Sequence, residues 1–84
     1  MNQPGAVSVI IPARNAEATI ARAIASAVGQ GIAPLEIIVI DDASTDRTVL
    51  HARDAGGPLT RVLALPVRQG AAGARNAGIA AARG

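Results

Sequence analysis

Asp41 and Asp42 stand side by side at the end of the aliphatic run Ile37–Ile40, and Ser44, Thr45 and Asp46 follow at once. Ionised carboxylates are pure hydrogen-bond acceptors, and they also take cations and guanidinium groups. Two of them held in one place repel, so a shared crevice would require a ligand donor, a cation or an arginine to receive at least one. The plainer alternative is that one caps a helix and the other is solvated at a strand end. Two further stretches carry polar groups at places where elements change. Pro12-Ala13-Arg14-Asn15 follows the run VSVII, and Arg75-Asn76 sits inside GAAGARNAGIAAARG.

Several familiar site chemistries fail on residue type. A Walker phosphate loop needs a lysine after its glycines, and all eight basic residues here are arginines. A dinucleotide fingerprint needs Gly-x-Gly-x-x-Gly after the first strand, where Pro12-Ala13-Arg14-Asn15 stands instead. A phospho-accepting receiver carries its acidic pair after the first strand and needs a later lysine; here the pair follows the second. A Ser/His/Asp set would require His51, which falls in the middle of a helical stretch with no serine elbow, so His51 reads as a surface residue. With no cysteine there is no disulfide, thiolate metal site or cysteine nucleophile.

The elements that position these residues follow from hydrophobic pattern. Val7–Ile11 and Leu35–Ile40 are nearly continuous apolar runs, as expected of strands covered on both faces, and Arg61–Leu65 supplies a third. Ile20, Ala23, Ile24, Ala27 and Val28 form a helical stripe with Asn15 as the expected N-cap and Glu17 in the first turn, ending at Gly29–Pro34. Ser44 or Thr45 is the expected cap of a second helix that runs to Ala55 and breaks at Gly56-Gly57-Pro58; Ala71–Ala82 should form a third. The order β-α-β-α-β-α implies an α/β fold: a three-layer, Rossmann-like parallel sheet with right-handed crossovers. Open sheets of this kind bind ligands beyond the carboxyl ends of their strands, so Pro12–Arg14 and Asp41–Asp42 are expected to face one crevice.

At 84 residues the chain makes one domain, residues 1–84, with a light core, because half its residues are apolar but none is aromatic. A chain this short buries only about 60% of the surface that its unfolded form exposes. The net charge is +2 and the arginines are scattered from Arg14 to Arg83, with no aromatics to stack bases, which argues against nucleic acid as a partner. No apolar run is long enough for a transmembrane segment, and the first residues lack a signal peptide's basic start, so a cytoplasmic protein is expected, peripheral to the membrane at most.

Three blocks, VSVIIPARNAEATIARAIASAVGQ, LEIIVIDDASTDRT and GAAGARNAGIAAARG, together resemble the N-terminal part of family 2 glycosyltransferases. The resemblance implies the N-terminal half of the A-type, nucleotide-diphospho-sugar transferase fold. It also implies transfer of a sugar from a nucleotide-diphosphate sugar, UDP-linked before GDP-linked, with a divalent cation, Mg²⁺ or Mn²⁺, on the diphosphate. Carried over by position, Pro12, Ala13 and Arg14 line the nucleoside, with Arg14 where the family commonly has tyrosine. Glu17 matches an acidic position near the nucleoside, Asp42 the carboxylate that accepts from the base, and Asp41 its structural partner. Arg75 matches an arginine that approaches the phosphates or ties the acidic loop; without a ligand it would be a helix-surface residue. The family's Asp-x-Asp metal motif does not occur, so the sequence names no metal ligand and no catalytic base. The expected function is that of a glycosyltransferase whose nucleoside-binding part this chain carries. The alternative is a non-catalytic nucleotide-binding module that self-associates or completes its sheet with another chain.

Overall fold

The computed structural model describes residues 8–29, 36–57 and 59–82. Its elements are β1 (Ser8–Ala13), α1 (Ile20–Val28), β2 (Glu36–Asp42), α2 (Thr48–Ala55), β3 (Thr60–Leu65) and α3 (Gly70–Ala81). The strands form a parallel sheet in the order β1-β2-β3, the α/β arrangement that the alternating pattern predicts. Val7 and Leu35, expected to open the first two strands, lie outside the described residues.

Every residue of β2 is buried because the strand has a neighbour on each side and helices on both faces. Successive side chains of a strand point to opposite faces. Val39 packs with Ala13, Ile20, Ile24 and Ala52 beneath α1 and α2, while Ile38 and Ile40 pack with Ala74 beneath α3. Full burial of each of these isoleucines contributes roughly 1.5–3 kcal/mol, which lets a core without aromatics hold together.

The strands run further than the apolar pattern suggests. β1 continues through Pro12 to Ala13, and β2 takes in both carboxylates, pairing Asp41 with Ala13 and Ala64, and Asp42 with Leu65. Proline is tolerated because β1 pairs only with β2 among the described residues, leaving its other edge without a ladder to feed.

The helix starts differ from those expected. Asn15 does not cap α1: its φ of 51° is left-handed, and α1 begins only after Thr19, so Glu17 precedes the helix. Ser44 and Thr45 do not cap α2, which starts at Thr48 after Arg47. The polar side chains of both loops bond across to each other instead, as detailed below.

At the amino end of the sheet Glu36 is fully buried and receives Arg61 Nη1 at 3.0 Å and the Ser8 hydroxyl at 2.9 Å. Arg61 also donates to the Ala81 carbonyl at 3.3 Å, tying the end of α3 to the strand bottoms. Gly78 brings α3 down onto the sheet: a Cβ there would lie 2.5 Å from Ile10 Cγ2 and 3.2 Å from Ile40 Cγ1. Replacement Gly78→Val should therefore lower the unfolding free energy by about 1–3 kcal/mol. Gly57→Ala, where a Cβ meets nothing within 4 Å, should change it little; urea unfolding of the two variants checks the contrast.

Candidate functional site

Because they are neighbours on one strand, Asp41 and Asp42 point to opposite faces of the sheet. The expectation that both carboxylates share a crevice is corrected by this pleat, and with it the repulsion that seemed to demand a ligand. Each is held by backbone donors on its own side.

Asp42 faces α3. Its Oδ1 accepts from Gln69 N–H at 2.7 Å and its Oδ2 from Gly70 N–H at 2.9 Å, so the carboxylate sits across the amino terminus of α3. The first N–H groups of a helix lack internal partners, and the helix dipole favours a negative charge there. Gly70 makes the entry possible with a φ of 80°. Asp41 faces the other way and accepts from Ser44 N–H at 3.2 Å, while its Oδ1 is buried with no hydrogen-bond partner among the described residues.

On the α1 and α2 side the two loops are laced together. Asn15 donates its N–H to Ser44 Oγ and accepts from the Thr45 N–H and hydroxyl. Ala16 N–H donates to Thr48 Oγ1, Glu17 N–H to Asp46 Oδ2, and Arg47 N–H to Glu17 Oε2. Asp46 also receives the N–H and hydroxyl of Thr48. The Thr48 hydroxyl is the main cause that holds the Asp46 carboxyl below its ordinary value, against a desolvation that acts the other way. Ala43 turns the chain into this clasp with a φ of 56°, a conformation that costs an L-residue about 1–2 kcal/mol.

Between the end of β1 and the start of α3 lies a cavity of about 200 Å³. Pro12, Ala13 and Arg14 line it from β1 and its following loop, Asp42 from β2, and Arg68, Gly70, Ala71 and Ala74 from the entry and first turns of α3. It therefore contains four of the residues singled out from sequence. Glu17 and Asp41 belong to the loop clasp, and Arg75 is exposed on α3, outside the cavity lining. Arg68 was missed; its one sequence signal is a guanidinium two residues before the glycine at which α3 begins. His51 is exposed on α2.

No group of three or more His, Cys, Asp or Glu side chains that could hold a metal ion occurs among the described residues. With Asp42 spanning the helix terminus, the residues present do not fit the divalent cation that the resemblance implies.

The model of the family "Glycosyl transferase family 2" matches residues 8–84. The chain belongs to this family. It is similar to the succinoglycan biosynthesis protein ExoO of Rhizobium meliloti, 44% identical over 93% of this chain and 22% of that protein. It is also similar to the Escherichia coli UDP-Glc:alpha-D-GlcNAc-diphosphoundecaprenol beta-1,3-glucosyltransferase WfgD, 38% identical over 93% of this chain and 31% of that protein. Among solved structures, glucosyl-3-phosphoglycerate synthase from Mycobacterium tuberculosis, crystallised with Mn²⁺, UDP and glucosyl-3-phosphoglycerate, superposes with a TM-score of 0.75 at 36% identity. That superposition covers 94% of this chain and 30% of the synthase. The fold is thus that of the N-terminal part of A-type glycosyltransferases, and this family 2 chain spans between about a fifth and a third of the relatives named here.

Three variants test the site's construction. Asp42→Ala should cost this family 2 chain about 2–3 kcal/mol through loss of the charge-assisted cap, and Ala43→Gly should add roughly 0.5–1 kcal/mol by relieving a left-handed alanine; denaturant melts measure both. For Asp46, a carboxyl held low in the fold contributes its stability above the ordinary Asp range and loses it as pH falls through the lowered folded-state value. Wild type and Asp46→Asn should therefore differ in stability at neutral pH and converge in acid, as thermal melts over that range would report.

Proposed function

We propose that residues 1–84 are the nucleotide-binding part of a family 2 glycosyltransferase that transfers a sugar from a nucleotide-diphosphate sugar, UDP-linked before GDP-linked. The observation that carries this reading is the cavity at the carboxyl ends of β1 and β2, where open α/β sheets bind ligands, with Asp42 at its wall. Each Asp42 oxygen already accepts one backbone N–H, and a carboxylate has about four acceptor sites in all. A further acceptor position therefore remains for the imide N–H of uracil or the ring N–H of guanine. A base presenting an unprotonated ring nitrogen there would find no donor.

The cavity is smaller than the ~300–1,000 Å³ usual for a complete small-molecule site, which suits the nucleoside end of a donor and leaves the sugar and acceptor to other walls. The path of α3 supports the same division of labour. It packs over β2 and β1 on the face opposite α1 and α2, heading back towards the open edge of β1. A strand following α3 would meet the right-handed crossover rule by pairing with β1. In this reading the sheet continues from that edge in a longer enzyme, the catalytic base lies in the remainder, and the 84-residue chain alone is inactive. Among the described residues no helix is long and apolar enough to cross a membrane.

Titration of the chain with UDP and GDP, followed by amide chemical shifts, tests the reading. UDP should perturb Ala13, Arg14, Asp42 and Ala71, and Mn²⁺ should leave its affinity unchanged. Ala71→Leu, which fills the cavity from an exposed helix position, should weaken UDP by at least about tenfold by steric clash. Ala72→Leu, exposed and outside the cavity lining, should not. A chain that is folded and shows no shift with either nucleotide would contradict the proposal.

A further inference from the structure

The cavity's helix terminus is the obvious anion site, yet its donors are taken. Gln69 N–H and Gly70 N–H both point at Asp42. One internal carboxylate thus answers the positive end of α3 and occupies both donors before any ligand arrives. Two other cations line the same cavity. Arg14 comes from the loop after β1 and Arg68 from the entry to α3; both are exposed, and among the described residues neither forms an ion pair or a side-chain hydrogen bond. By contrast Arg61, the arginine at the other end of the sheet, is engaged with Glu36 and a carbonyl.

We infer that Arg14 and Arg68 form a two-guanidinium clamp for the diphosphate of the donor. Resting on the nucleotide reading above, it gives a specific role to Arg68 and moves Arg14 from base contact to phosphate contact. The signs match: Asp42 is engaged by the start of the helix, and the two guanidiniums meet the negative charges of a nucleotide sugar's diphosphate. Planar guanidiniums, each with several donors in a fixed fork, suit adjacent phosphate oxygens better than an ammonium would, and the chain contains no lysine. Their sources on opposite sides of the cavity let the ligand pass between them. Arg75, outside the lining, takes no part.

The test titrates wild type, Arg14→Gln, Arg68→Gln and the double variant with inorganic pyrophosphate, uridine and UDP, following amide shifts. Because both arginines are exposed and unpaired among the described residues, preserved amide dispersion is expected in all variants; Arg14→Lys and Arg68→Lys repeat the measurement with the charge kept. Pyrophosphate should perturb the cavity amides of the wild type and not those of the double variant. Each Gln substitution should weaken UDP about tenfold, as for loss of a charge-assisted contact, and leave uridine unchanged within about twofold, with the Lys variants intermediate. UDP affinity should also fall with added salt in the wild type and lose most of that dependence in the double variant. Pyrophosphate that leaves the cavity amides unmoved, or binds the double variant equally, overturns the clamp whatever UDP does. If pyrophosphate binds through the arginines while uridine and UDP bind no better than pyrophosphate, the clamp stands and the nucleotide reading falls.

Discussion

The Asp42 carboxylate laid across the first N–H groups of α3 is the interaction on which the arrangement of the cavity depends. It fixes where α3 begins, and so where Arg68 enters and which small residues, Gly70, Ala71 and Ala74, line the cavity. A carboxylate with two backbone donors at a buried strand end is worth more than a surface contact, because both partners would be costly to leave unpaired. Helix α3 is otherwise weakly specified. It is rich in alanine and glycine, shows no strong apolar stripe, and rests on the sheet through Ala74 and Gly78, with the Arg61 contact to Ala81 at its last turn.

The remainder of the fold divides polar tasks by face. On the α1 and α2 side, Asn15, Glu17, Ser44, Thr45, Asp46 and Thr48 lace the β1–α1 and β2–α2 loops together, holding the carboxyl ends of β1 and β2 in register. On the α3 side, the cavity is left with two guanidiniums that are unengaged among the described residues. The short segment Pro12–Arg14 thus lies between a loop clasp on one face and a capped helix on the other, without aromatic packing. Stability comes from β2, whose buried isoleucines serve both layers.

Much of this was legible in the residues. Continuous apolar runs marked the three strands, glycine marked the ends of the first two helices, and the alternation of strand and helix placed Pro12–Arg14 and Asp42 at one sheet edge. What escaped followed from physical ambiguities. Ending β2 at Ile40 left Asp41 and Asp42 in a loop where both could face a crevice; extending the strand by two residues turns them to opposite faces. Asn15, Ser44 and Thr45 carry cap-forming side chains, and nothing local tells whether such a side chain bonds its own helix or a loop some 30 residues away. Arg75 could not be placed because a helix of alanine and glycine offers no contrast from which to read its buried face, and Arg68 was missed because it stands in the turn before that helix. The buried ion pair of Glu36 with Arg61 was not read from the sequence, because the two are brought together only by the packing of β2 beside β3.

Whether Asp42 keeps its structural bonds while serving a base is the point on which the account turns. Scalar couplings across hydrogen bonds, from the Gln69 and Gly70 amide nitrogens to the Asp42 carboxyl carbon, report those bonds directly in solution. Measured in the free chain and at saturation with UDP, they should be present in both states, with the Asp42 carboxyl shift moving on binding as a further donor arrives. Couplings absent from the free chain, or lost when UDP binds, would contradict a carboxylate that caps α3 and receives the base at once.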